Sequence, residues 1–343
     1  MNEQEKKTFI EEIRSRMNSN VTHDIQILEE EIKKLAGTEH EKELCGELLK
    51  IATGMIPQKQ QDYMKRMLYI GKRRLNQVYA EVSALMAKHQ TDRALALSKQ
   101  LYEHIVKNFA ETDKERFFSF RNLLESNLYH QLYNPTKTML KAPFDFSLYI
   151  GAYAYNLVEA GRAPEAVPVL LEAIRYNPVN PDPRFELAEV YKLTGDNDKL
   201  LETILETLPI CTSAYAISRC YTNLGFYCVN IKDYDSAVRF YYESLNFADH
   251  PAVPAELKHI EQVSRKPLIP PTKEMINAAF AKYQIYHGPG REVVYIAREL
   301  AKQAEEGQRW KEAVFYLMVV TGLIHDEEAE EHLKQCLAKR DEA

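Results

Sequence analysis

Histidines and cysteines are the first residues of the chain to consider for chemistry. Ten His and five Cys are scattered through 343 residues, and no two Cys have C-x-x-C spacing. Cys220 and Cys228 lie eight residues apart on one predicted helix, which is too far for a single metal centre. The pattern therefore predicts reduced thiols that pack in a core, with no metal site and no cofactor.

The segment His287-Gly288-Pro289-Gly290-Arg291 has glycines like those of a phosphate-binding turn. It lacks the preceding strand, the Lys-Ser/Thr pair and the third glycine of nucleotide sites, so a simple turn is favoured over anion binding. No G-x-S-x-G motif and no pair of carboxylates in a distinctive catalytic context occurs elsewhere. These features predict that the protein is not an enzyme.

Basic residues are concentrated in the segment 62–80, where tyrosines are interleaved with them. Such a cluster could contact RNA phosphates or an acidic partner. Since the formal net charge is −6, the exposed face of a helix is favoured and nucleic acid is disfavoured as a partner. The five residues of this basic patch are Lys65, Arg66, Lys72, Arg73 and Arg74.

Residues 1–110 are predicted to form an N-terminal region of long amphipathic helices. Three helices are expected within 1–56, with Thr38 and Glu41 as a capping box for the third. A further long helix is predicted from Pro57 to about His89. The apolar stripe at 21–35 could pair with a second copy or pack against 40–89, so a monomer and a homodimer both remain open.

From about residue 94 the pattern changes to helix pairs that repeat every 34 to 38 residues. Small or apolar residues recur at comparable positions of these pairs, namely at Ala94, Ala166, Leu200, Ala237 and Ala313. A fixed period in this range is typical of a helical solenoid.

The unit from Ser218 carries the most informative residues. It contains Tyr221-x-x-Leu224-Gly225-x-x-Cys228 and then Ala237-x-x-x-Tyr241-x-x-Ser244. These residues resemble the tetratricopeptide repeat (TPR), whose pattern is W-x₂-L-G-x₂-Y followed by A-x₃-F. The resemblance implies an all-α fold, an α-solenoid of TPR-like helix pairs wound as a right-handed superhelix and preceded by the N-terminal helical region.

Four segments follow from this pattern. After the N-terminal region 1–110, residues 111–146 form a degenerate repeat or seam, with a helix predicted from Phe117 to Tyr133. The TPR-like array spans 147–325, with an irregular Pro-rich insertion at 265–271 that cannot be helical. Residues 326–343 are predicted to form a C-terminal capping helix that begins at Asp326.

In the TPR family, the first helices of the units line a concave groove that binds peptides. The chaperone-tail clamp of this family needs Lys and Asn at fixed positions, and that pattern is absent here. Each groove residue could equally pack on a neighbouring unit. The positions that the resemblance assigns to the groove are Tyr155, Phe185, Glu189, Lys192, Arg219, Asn223, Phe226, Asn230, Arg298 and Lys302.

The sequence therefore predicts a non-enzymatic scaffold that binds a protein or peptide whose identity it does not specify. Two alternatives remain. In one, the protein is a peptide-responsive regulator with residues 1–110 as its helical effector region; in the other, the basic helix 62–80 binds RNA weakly. The polar N-terminus and the lack of a long apolar segment predict a cytoplasmic location and no membrane association.

Overall fold

The computed structural model describes residues 3–342, which form eighteen α-helices and two short pairs of β-strands. The predicted all-α class is confirmed, because helices packed on helices build the core. The helices divide into two compact units, one of residues up to Leu75 and one of residues from Asn76 onward.

The first unit contains four helices and a tight hairpin. Its elements are α1 (Glu3–Arg16), α2 (Val21–Leu35), α3 (Glu41–Met55), α4 (Gln58–Leu68), β1 (Tyr69–Ile70) and β2 (Arg73–Arg74). Ile13, Leu28 and Leu48 form a buried cluster that joins α1, α2 and α3, as expected for three amphipathic helices. The apolar stripe of α2 is thus packed within this unit.

The capping box predicted for α3 is absent from the structure. The Thr38 hydroxyl donates to the Leu35 carbonyl at 2.7 Å and therefore serves the end of α2. The Glu41 carboxylate accepts from the Gly37 backbone N–H at 2.8 Å. Both side chains stabilise the turn between α2 and α3.

The single long helix predicted from Pro57 to His89 is wrong. Residues 69–74 form an antiparallel hairpin in which Tyr69 pairs with Arg74 and Ile70 with Arg73. Gly71 lies at its tip with φ of +61°, a left-handed conformation that a right-handed helix does not contain. The apolar residues on either side keep a helical spacing across this break, which explains the error.

The second unit holds the repeated helix pairs. The remaining elements are α5 (Leu75–Ala87), α6 (Thr91–Asn108), β3 (Glu115–Phe118), α7 (Leu123–Tyr133), β4 (Thr138–Lys141), α8 (Phe146–Glu159), α9 (Ala163–Tyr176), α10 (Asp182–Thr194), α11 (Asn197–Thr207), α12 (Ala214–Asn230), α13 (Tyr234–Phe247), α14 (Val253–Ser264), α15 (Lys273–Lys282), α16 (Arg291–Glu306), α17 (Trp310–Leu323) and α18 (Glu327–Glu342). Consecutive helices joined by short turns pack on each other as α8/α9, α10/α11, α12/α13 and α16/α17.

The compact array begins before residue 110, where the sequence pattern places the end of the N-terminal region. Tyr79 on α5 stacks on Tyr149 of α8 with ring centroids 4.3 Å apart. Tyr102 on α6 stacks in the same way on Tyr153, at 5.2 Å. Aromatic packing therefore joins α5 and α6 to the first regular pair of the array.

The seam at 111–146 contains a strand–helix–strand unit. Strand β3 pairs with β4 in parallel, from Glu115 opposite Thr138 to Phe118 opposite Lys141, and α7 connects them. The helix predicted over Phe117–Tyr133 starts only at Leu123, because the Asn122 side chain caps it by accepting from the Glu125 N–H at 3.0 Å.

Residues of the repeat motif fill the interior of the α12/α13 pair. Tyr221, Leu224, Ala237 and Tyr241 are all fully buried. A Cβ atom at Gly225 would lie 2.8 Å from the Tyr241 ring, so only glycine allows the two helices to approach this closely. This contact confirms the close packing that the Leu-Gly pair predicts.

The Pro-rich insertion and the start of the C-terminal helix lie where the sequence predicts them. Residues 265–271 are not helical and connect α14 to α15. Asp326 Oδ1 accepts from the Ala329 N–H at 3.1 Å, so α18 starts at the predicted cap. Within residues 3–342, no helix combines the length and the apolar composition needed to cross a bilayer.

Candidate functional site

Two helices of the array, α10 and α12, position most of the predicted groove residues. Phe185, Glu189 and Lys192 follow each other at steps of four and three along α10, which places them on one face. Arg219, Asn223 and Phe226 have the same spacing on α12. Helix α10 ends in front of Gly195, whose φ of +74° forms a left-handed cap.

Cation–π contacts join the two faces. The guanidinium carbon of Arg219 lies 4.2 Å from the centroid of the Phe185 ring, and Lys192 Nζ lies 5.1 Å from that of Phe226. Lys192 also donates to the Glu189 carboxylate at 2.8 Å. The structure thus brings six predicted residues together, and we call this set (185, 189, 192, 219, 223 and 226) the α10/α12 surface.

Two members of the α10/α12 surface are buried although the sequence places them in a groove. Phe185 is 3% exposed beneath Arg219, so it contributes to packing and supports the guanidinium. Asn223 is 4% exposed, and its Nδ2 has no hydrogen-bond partner. A buried donor without a partner costs about 1–3 kcal/mol, which makes this amide the least satisfied group of the surface.

The pKa of Glu186, a neighbour of the α10/α12 surface, is shifted by its surroundings. Desolvation raises the pKa of Glu186, and the negative charges of Glu189 and Asp182 raise it further, whereas Arg219 lowers it. Glu186 is nevertheless exposed to solvent.

His250 belongs to the same neighbourhood, and sequence reasoning missed it. Burial lowers the pKa of its imidazole, and the positive charges of Arg219 and Lys192 lower it further. The residue follows α13 and has no position in the repeat motif, so no periodic signal marks it. Its place near two residues from different helices could be found only from the fold.

The other four predicted groove residues lie outside the α10/α12 surface. Tyr155 is 44% exposed on α8, at the repeat position equivalent to Glu189. Asn230 Nδ2 donates to the Asn197 side chain at 2.8 Å and thus links α12 to α11. Arg298 forms an ion pair with Asp326 at the start of α18, and exposed Lys302 lies on the same helix, α16.

The basic patch is divided among three kinds of structure. Lys65 and Arg66 lie on α4, Lys72 lies in the turn of the hairpin, and Arg73 and Arg74 form β2. The Arg66 guanidinium carbon lies 5.3 Å from the Tyr63 ring centroid. Because no helix spans 62–80, the continuous basic helix face on which the RNA-binding alternative depended does not exist.

The turn at 287–291 has a structural role. The Gly288 N–H donates to the Tyr221 hydroxyl at 2.8 Å, and His287 Nε2 lies 2.6 Å from a carboxylate oxygen of Glu243. A Cβ at Gly290 would lie 2.4 Å from the Pro209 carbonyl oxygen. The glycines therefore permit the chain to pack against α12 and the segment before it.

Four of the five cysteines are buried free thiols. Cys211 and Cys220 are free and lie with their Sγ atoms 3.7 Å apart, and burial raises the pKa of Cys220. Burial also raises the pKa of Cys228 to about 12. Among residues 3–342, no group of three or more His, Cys, Asp or Glu side chains is arranged to hold a metal ion.

Comparisons with known proteins show a distant structural likeness. No protein-family model and no curated protein sequence matches the chain. Among solved structures, it is similar to a chain described as the crystal structure of the APC/C hetero-tetramer Cut9-Hcn1, with a TM-score of 0.41 and 11% identity. The alignment covers 98% of this chain but only 57% of that one.

Proposed function

We propose that the protein is a non-enzymatic, TPR-like interaction module that binds an extended peptide on the α10/α12 surface. The observation that carries the proposal is the buried Asn223 amide, whose Nδ2 lacks a partner. Nδ2 is shielded from solvent in the free protein, so a peptide carbonyl can accept from it once the side chain turns towards the surface, and the bound state then removes this cost.

The side chains around Asn223 suit such a ligand. Arg219 and Lys192 present positive charge, while Glu189 and Glu186 present negative charge on the same surface. Phe226 offers a half-buried aromatic ring. Aromatic and arginine side chains are the residue types that most often dominate binding energy at interfaces.

The test uses a display library of random linear peptides selected against the full chain. Selected peptides are then measured against the triple variant Arg219→Ala, Asn223→Ala, Phe226→Ala. The control triple variant, Lys199→Ala, Glu202→Ala, Leu205→Ala, lies on exposed positions of α11. We expect at least about tenfold weaker binding by the first variant and unchanged binding by the control.

Two outcomes would overturn the proposal. One is the failure of the wild-type chain to select any peptide. The other is equal binding by both triple variants, which would move the binding surface elsewhere. Circular dichroism and thermal melting of each variant separate lost binding from lost folding.

The division into two compact units favours a second candidate, a regulator in which the first unit acts as the effector. The finding that α5 and α6 pack on the array limits that effector to residues up to about Leu75. Deletion of this unit should leave selected peptides bound with unchanged dissociation constants. A lost peptide affinity would argue against separate roles for the two units.

A further inference from the structure

A cavity of about 340 Å³ lies where the helical repeat is interrupted. Helix α13 forms one wall, the end of α14 another, and the Pro-rich segment 265–271 with the start of α15 closes the third. The prolines prevent this segment from folding into a helix that would fill the space. The cavity is thus a consequence of the irregular sequence.

The walls of this cavity are mostly apolar. Val238 and Ile260 contribute from the helices, Leu268 and Ile269 from the Pro-rich segment, and Met275 from α15. Ile269 is 67% exposed, so its side chain is reached by solvent. An apolar ligand would remove part of this surface from water.

One cation that lines the cavity has no ion-pair partner. Arg239 lines the cavity, and its Nε is buried without a hydrogen-bond partner. Three other arginines also have a buried unpartnered nitrogen, but Arg116, Arg175 and Arg184 each donate to another oxygen. Within residues 3–342, the Arg239 guanidinium forms neither an ion pair nor a hydrogen bond.

The charged residues that line the cavity sum to one positive charge. Arg239 and Lys266 are positive and Asp235 is negative, and the Lys266 and Asp235 side chains lie 3.9 Å apart and are mostly exposed to solvent. The remaining guanidinium is matched by a monoanion, because a dianion would bring one charge without a partner into an apolar site. A carboxylate suits the planar guanidinium, which can donate two parallel hydrogen bonds.

From this combination we infer that the cavity binds a small apolar monocarboxylate, with its carboxylate on Arg239 and its hydrocarbon body against Ile260 and Leu268. The volume lies at the lower end of the range of roughly 300–1,000 Å³ that is common for ligand pockets. A compact aromatic or aliphatic acid therefore fits better than a long lipid. This inference does not depend on peptide binding at the α10/α12 surface, which uses other helices.

The experiment compares 3-phenylpropionate with its neutral analogue 3-phenylpropionamide by isothermal titration calorimetry on the full chain. The two probes share a hydrocarbon body and differ in charge. We expect the acid to bind at least about tenfold more tightly, the effect of one charge-assisted hydrogen-bond pair. Octanoate and octanamide repeat the comparison with an aliphatic body.

Three variants locate the site. Arg239→Gln should reduce the affinity for the acid to that for the amide. Arg265→Gln, in the Pro-rich segment but not among the residues that line the cavity, should change nothing. Leu268→Trp should block binding of both probes. The indole would fill the cavity from the side of the Pro-rich segment, so the helices need not move. This third variant keeps the test decisive if Arg239→Gln fails to fold.

Equal affinity for acid and amide would overturn the inference, as would the absence of binding by either acid at millimolar concentration. Methyl chemical shifts of Ile269 and Met275 provide a further check, since both side chains line the cavity. Perturbation of these methyl groups by the acid supports the assignment. Perturbations confined to other parts of the chain contradict it.

Discussion

The guanidinium carbon of Arg219 lies 4.2 Å from the ring centroid of Phe185, and the two residues are 34 positions apart in the sequence. The second cation–π pair, Phe226 with Lys192, has the same separation. Both contacts therefore join residues at matching heights of α10 and α12. Helices that begin successive repeats run parallel to each other here, with one repeat period between contacting residues.

Replacement of Asn223 by Leu should weaken peptide binding without a loss of stability. Removal of the unpartnered amide should leave the free energy of unfolding unchanged or raise it by about 1 kcal/mol, as measured by guanidinium denaturation. The same variant should bind selected peptides at least about tenfold more weakly.

Thr222→Val is the matched control for this prediction, because Thr222 Oγ1 is also buried on α12 without a partner. It should affect stability in the same direction as Asn223→Leu and leave peptide affinity unchanged. If Asn223→Leu unfolds more easily than the wild type, the amide has a favourable role in the free protein and the proposed reason for binding is wrong.

Gly225→Ala should destabilise the array despite the higher helix propensity of alanine. Its Cβ would lie 2.8 Å from the Tyr241 ring, and that ring is fully buried and cannot move aside freely. We expect a loss of about 1–3 kcal/mol in the free energy of unfolding.

Gly151→Ala provides the control, since a Cβ at this position in α8 meets no atom within 4 Å. It should stabilise the protein by about 0.5–1 kcal/mol, because alanine restricts the unfolded chain and favours helix. The contrast between two glycines inside helices distinguishes close packing from propensity. Equal effects of the two substitutions would exclude the predicted clash.

Asp233 should make the array sensitive to acid. Burial alone would raise the pKa of this carboxyl, but hydrogen bonds from Lys282 and Tyr283, each at 2.6 Å, lower it to about 2. The lowered pKa means that Asp233 contributes fully above its unfolded value of 3.8 and loses that contribution as the pH falls towards 2.

Asp233→Asn should therefore reduce the free energy of unfolding at pH 7 by about 1–2 kcal/mol. The difference from the wild type should shrink as urea denaturation is repeated at lower pH, through the range from 3.8 to about 2. Asp235→Asn is the control, because Asp235 is exposed and its nearest cation, Lys266, is 3.9 Å away. A difference that does not depend on pH would contradict the assigned ion pair.

Tyr221→Phe should weaken the attachment of the turn at 287–291 to α12. The variant leaves the Gly288 N–H without its acceptor, which costs about 1 kcal/mol in the free energy of unfolding. Hydrogen exchange of the Gly288 amide should also become faster. Tyr215→Phe, on an exposed position of the same helix, should change neither quantity.

The periodic part of the fold could be predicted because each helix pair repeats the same local requirements. Large residues such as Tyr221 and the small Gly225 mark positions of the pair that recur along the chain. The hairpin at Gly71 and the strands β3 and β4 escaped prediction for a different reason. Strands of two to four residues are too short to show an alternating pattern, and β3 also pairs with a strand 23 residues away.

The candidate site was likewise predictable from the sequence only in part. The resemblance to the TPR pattern assigned Arg219, Asn223 and Phe226 to a groove together with residues of α10. The burial of Phe185 and the missing partner of Asn223 depend on how neighbouring helices approach, so they required the structure. Arg239 carried no signal in the sequence, because its isolation results from the path of the Pro-rich segment.

The strand–helix–strand unit at 115–141 has a consequence for the kinetics of folding. Most of the array consists of hairpins whose contacts close short loops, and such contacts form quickly. The residues that flank this unit instead make contacts across long stretches of chain. The Tyr176 hydroxyl donates to the Phe109 carbonyl across 67 residues, and the Ser119 N–H donates to the Tyr176 carbonyl at 2.8 Å. Closure of these long loops costs chain entropy before the contacts form, so we expect this segment to fold more slowly than the local helix pairs.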